Sequence, residues 1–122
     1  MDFELSARAA EYRDRLQDFV SSVVEPATPV YFEQVTASGD PHFHPPVMED
    51  LKAEARRRGL WNLFLPDERF GPGLTNWEYG MLCEQMGRSP VAAPMSFNCA
   101  APDTGNAEIL IDHGTPDQKA EF

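Results

Sequence analysis

The stretch SARAAEYRDRLQDFVSSVV, residues 6–24, decides the fold class. Ala9, Tyr12, Leu16, Phe19, Val20 and Val23 recur at spacings of three and four, the period of one face of an α-helix. Arg8, Glu11, Arg13, Asp14, Arg15 and Asp18 fill most of the other faces. Ser6 has the side chain of a helix N-cap, with Leu5 before it and Ala10 after it placed as a hydrophobic staple. Proline lacks an amide donor, so this helix is expected to end or kink near Pro26.

The same signals repeat downstream. Residues 27–40 read as a short helical turn running into a loop at Ser38-Gly39-Asp40. Pro45-Pro46 open a second helix with Val47, Leu51 and Ala55 as its stripe. Arg56-Arg57-Arg58 stand in its last turn, at the negative end of the helix dipole, and Gly59 fits the position just past the end. Leu60-Trp61-Asn62-Leu63-Phe64-Leu65-Pro66 is too short for a helix and is expected to cross the core extended, followed by a surface loop to Gly73. Thr75 or Asn76 caps a third helix carrying Tyr79, Leu82, Cys83 and Met86 and ending at Gly87. A small-residue helix is expected from Pro90 through Ala101, and another from Asp103 to His113-Gly114. Thr115-Pro116-Asp117-Gln118 is a complete helix start with a capping box, yet only Lys119-Ala120-Glu121-Phe122 follow. That reads as a helix cut at Phe122. No convincing period-2 segment appears, so the expected architecture is an all-α bundle of about five or six helices.

Composition narrows the function. Apolar residues at 42% are globular usage and argue against disorder. Twenty acidic against ten basic residues, a formal charge of −10, disfavour a nucleic-acid or anionic-membrane surface. No apolar run approaches the ~18 residues of a membrane span. Cys83 and Cys99 lie in apolar helical segments without a CxxC motif and read as reduced, packed thiols.

Constellations that carry chemistry are sparse. Asp103-Thr104-Gly105 matches the aspartic-protease tripeptide, but its flanks are helical; Asp103 or Thr104 reads as a helix cap and Gly105 as a close-packing site. His42 and His44 lack further ligands for a metal. Gly71-Pro72-Gly73 lacks the Lys-Ser/Thr of a phosphate loop. No residue of this chain reads as catalytic, metal-binding or cofactor-binding.

Three stretches together resemble the amino-terminal domain of the acyl-CoA dehydrogenase family: Gly59-Leu60-Trp61-Asn62-Leu63-Phe64-Leu65-Pro66, Tyr79 through Gly87, and Asn98 through Phe122. The Asn98–Asn106 run is similar to the branch that in animals includes kinase-fused members. The resemblance implies that residues 1–122 are the helical first third of an FAD-dependent enzyme, stopping before its β-domain. Such enzymes desaturate acyl-CoA thioesters at the α,β position, in fatty-acid oxidation, using a glutamate base that lies beyond this segment. It further implies an electron-transfer flavoprotein-type acceptor, a homodimer or homotetramer and an inactive isolated segment. The start at the first helix, with no presequence read, is expected to mean a cytoplasmic location. By position, Phe97, Asn98, Ala101 and Thr104 are the expected substrate-binding residues, walling the acyl chain. Asn98 is polar where such a wall prefers carbon, so it needs a buried partner or a polar acyl group to meet. The competing reading is a non-catalytic helical interaction module.

Overall fold

The structure, a computed structural model, describes residues 4–121. Helix α1 spans Ala7–Phe19 and passes through one π-helical turn, Val20–Val24, directly into α2, Glu25–Ser38. The remaining helices are α3 Pro46–Arg57, α4 Asn76–Met86, α5 Ala92–Ser96, α6 Asp103–His113 and α7 Pro116–Glu121. Counting the continuous first rod once, six helices result, with no strand among the described residues.

The expected break at Pro26 does not occur. A π turn bonds i to i+5: the Glu25 amide donates to the Val20 carbonyl. This wider turn sits where the Pro26 ring would crowd the preceding carbonyls. The Ser21 and Ser22 hydroxyls donate to the carbonyls of Gln17 and Asp18 at 2.8 and 2.6 Å, and Thr28 donates to that of Val24 at 2.8 Å. The rod therefore continues to Ser38 and stops at Gly39, whose φ of 66° suits glycine. The short turn and loop expected over 27–40 are thus replaced by helix.

Other ends follow their local chemistry. The Ala9 amide donates to the Ser6 side chain, and Thr75 with Glu78 forms a full capping box. At the end of α3 the Gly59 amide donates to the Arg56 carbonyl and the Leu60 amide to that of Ala55, the paired bonds of a Schellman turn. Gly59 holds φ at 68°, and the turn drives Leu60 into the core.

The core lies where the first rod meets α3, α4 and α5. Leu16, Phe19, Val20 and Val24 pack with Met48, Leu51, Leu60, Leu63, Leu82 and Phe97, all buried. The Phe19 and Phe97 rings meet edge to face, 5.4 Å apart. Each such side chain contributes about 1.5–3 kcal/mol by leaving water. In α3, Met48 is buried and Val47 only half-buried, a rotation of the expected stripe. Cys83 is exposed rather than packed, while Cys99 is half-buried; both are free thiols. The helix expected through Ala101 stops at Ser96, because Asn98 turns left-handed with φ of 56°. No helical residue of α6 or α7 is fully buried, so this last pair lies against the body as a lightly packed arm.

Candidate functional site

A cavity of about 360 Å³ lies between that arm and the segment that follows α3. Arg56, Trp61, Asn62, Leu65 and Phe70 line one side; Asp103, Asn106, Ala107, Leu110, Ile111 and Lys119 line the other; Asn98 stands between them. The volume falls in the range of small-molecule sites.

Two asparagines organise the cavity. Asn62 and Asn98 both hold positive φ, 53° and 56°, a region that Asn enters more readily than most residues. Asn98 Nδ2 donates to Asn62 Oδ1 at 2.7 Å, and Asn62 Nδ2 donates to the Phe70 carbonyl at 3.2 Å. The Asn62 amide donates to the Phe97 carbonyl at 3.0 Å. The polar group that needed a buried partner thus has one, and the turn after α5 is tied to the loop after α3.

Arg56 lies over the Trp61 ring, 3.9 Å from its centroid. The Schellman turn sets this up, since it places the indole two residues past Gly59 and back beneath the last turn of α3. The charge balance around Arg56 is unusual for this molecule. Arg8, Arg13, Arg15, Lys52, Arg57, Arg58, Arg69 and Arg88 each form an ion pair with a carboxylate. Ten basic residues are present in all, and the other two, Arg56 and Lys119, form no ion pair among the described residues, Lys119 acting only at longer range on Asp67. Both line this cavity.

The sequence-expected residues divide. Asn98 lines the cavity. Phe97 is fully buried against Phe19 and does not. Ala101 is exposed and Thr104 half-buried at the start of α6, neither on the cavity lining. Asp103 occupies the first turn of α6, where the helix dipole favours its charge. Pro102 holds the N-cap position without a side-chain cap, so neither Asp103 nor Thr104 caps this helix. A Cβ at Gly105 would meet nothing within 4 Å, so this glycine serves no close contact. Trp61, Asn62 and Lys119 carry no site expectation in the sequence, and Arg56 stands there only within the Arg56-Arg57-Arg58 helix end, which could grip a phosphate but reads as solvent-facing. The available signal was an asparagine set inside the apolar run Leu60–Leu65.

On the other side of the Asn98 turn, burial pushes the Cys99 thiol up to about 11, and burial with the neighbouring Cys99 raises the Tyr79 hydroxyl. His42 and His44 are exposed, and no group of three metal-ligating side chains assembles among the described residues.

The family model for the acyl-CoA dehydrogenase N-terminal domain matches residues 6–122. The chain belongs to the acyl-CoA dehydrogenase family. FadE2 of Mycobacterium tuberculosis, assigned as an acyl-CoA dehydrogenase, is 50% identical over 100% of this chain and 30% of its own length. Mouse acyl-CoA dehydrogenase family member 10 is 45% identical over 97% of this chain and 11% of its own. A solved Mycobacterium abscessus structure assigned to the acyl-CoA dehydrogenases aligns with a TM-score of 0.77 at 43% identity, covering 98% of this chain and 31% of that one. The chain therefore spans less than a third of these relatives. No described helix of this acyl-CoA dehydrogenase domain is long and apolar enough to cross a membrane.

Proposed function

We propose that this domain is the helical amino-terminal part of an FAD-dependent acyl-CoA dehydrogenase and that it walls the acyl chain of the substrate. The observation that carries the reading is the family match along residues 6–122. The full-length enzyme introduces an α,β double bond into an acyl-CoA thioester, in fatty-acid oxidation, with its catalytic base outside this chain. FAD, when bound, supplies the hydride acceptor. No glycine-rich phosphate loop precedes a helix here, so none of these residues is assigned to the flavin. The isolated chain is then inactive. The rest of the reading is a homodimer or homotetramer in the cytoplasm, delivering electrons to an electron-transfer flavoprotein-type acceptor.

Within this chain, Ala101 and Thr104 present small side chains at the start of α6, and Gly105 leaves open space beside them. Asn98 stands at the foot of that surface, held by Asn62. Phe97 acts from beneath, its buried ring fixing the turn on which Asn98 sits.

The test is a chain-length profile on the full-length enzyme. Ala101→Phe should lower kcat/KM for long acyl-CoA substrates about tenfold while sparing short ones, the cost of filling an apolar slot. An unchanged profile would remove Ala101 from the wall. Stoichiometric FAD on the isolated 122-residue chain would contradict the placement of the flavin site outside it.

A further inference from the structure

We propose that the cavity between the loop after α3 and the α6–α7 arm binds an organic oxyanion: a phosphate or carboxylate joined to an apolar body. Acids outnumber bases twenty to ten in this chain, so an unpaired cation is the exception. Eight of the ten bases hold a carboxylate. The two that form no ion pair among the described residues, Arg56 and Lys119, come from helices far apart in sequence and line the same cavity, although Lys119 also helps hold the Asp67 carboxyl low at longer range.

The geometry suits an oxyanion. The indole of Trp61 covers one face of the Arg56 guanidinium, with 3.9 Å from the guanidinium carbon to the ring centroid. The N–H donors of a guanidinium lie in its plane, so stacking leaves the fork free to meet two oxygens. Lys119 of α7 supplies a second positive charge on the lining, one that also acts on the Asp67 carboxyl. Leu65, Phe70 and Leu110 supply an apolar wall for the body of the ligand. Asp103 is the single acid on the lining, and it is exposed at the N-terminus of α6. This site shares Asn98 with the acyl-wall reading but rests on Arg56, Trp61 and Lys119, which that reading does not use, and the probes below carry no thioester.

The experiment is calorimetric titration of the chain with hexyl phosphate, hexanoate and hexanol at low salt. Either anion should bind at least about tenfold more tightly than hexanol, with the advantage shrinking as salt rises. Tighter binding of hexyl phosphate assigns the head group to phosphate; tighter binding of hexanoate assigns it to a carboxylate. Arg56→Gln and Lys119→Gln should each weaken the preferred anion about tenfold, while Arg56→Lys should lose less. Lys119→Gln leaves the Trp61 stack intact and so separates charge from fold. Hexanol binding as tightly as the anions, no binding of either anion, or unchanged affinity in both Gln variants overturns the proposal.

Discussion

Asn98 donates its side-chain amide to the side-chain oxygen of Asn62 at 2.7 Å, and both backbones are left-handed. Each residue thereby does two things: it turns its own segment and closes a bond across 36 residues of sequence. The bond joins the loop after α3 to the turn before α6, and both residues line the cavity.

Asn98→Ala should therefore lose both effects. A half-buried amide left without its partner costs roughly 1–3 kcal/mol, and a Cβ without local hydrogen bonding in this backbone region roughly 1–2 kcal/mol more. Asn98→Gly should recover the backbone part alone. Urea unfolding measures both; an Asn98→Ala loss below about 0.5 kcal/mol, the range of neutral surface changes, contradicts this account.

Phe97 and Ala101 should separate cleanly in stability. Phe97→Ala empties the core against Phe19 and should cost about 3–5 kcal/mol. Ala101 is exposed, so Ala101→Phe should shift stability by less than about 0.5 kcal/mol. Thermal or urea melts of the pair test this, and similar losses in both would refute the burial difference.

The two thiols should react at different rates. Cys83 is exposed, whereas burial pushes Cys99 up to about 11 and so suppresses its thiolate. A disulfide reagent at pH 8 should label one thiol promptly and the second only in denaturant. Equal rates on the folded chain would overturn the assignment.

Acid stability should carry a signature of Glu54. Hydrogen bonds from Arg57 and then Arg58 lower its pKa from 4.5 to about 2 in the folded chain. A carboxylate lowered on folding contributes stability above its unfolded value and loses it as pH falls through the folded one. The contribution is therefore present above pH 4.5 and fades toward pH 2. It is small, because the pair is at the surface. Glu54→Gln should flatten the stability slope in that window and leave it unchanged above pH 6; an unaltered acid slope would discount the pair.

Much of the fold is legible residue by residue. Ser6, Thr75 and Thr115 cap their helices as their side chains predict, because a cap acts within one turn of chain. Pro26 misleads for a related reason. Its local effect is real, but the π turn at Val20–Val24 absorbs it, and packing of Val20 and Val24 into the core holds that turn in place. The helix expected to run through Ala101 fails at Asn98, whose left-handed turn is held by a partner 36 residues away.

The sequence by itself determined most of the helices, the caps at Ser6, Thr75 and Thr115 and the all-α class, since periodicity and capping act over spans of a few residues. Its motif order also marked the family. Only the tertiary structure decided that Phe97 belongs to the core and Asn98 to a cavity, though the two are adjacent in the chain. It alone brought Arg56 and Lys119, the two cations that form no ion pair among the described residues, to one place. The physical reason is that charge pairing and cavity formation depend on distances between helices. Those distances are set by how Phe19, Leu60 and Phe97 fill the core, which no local pattern encodes.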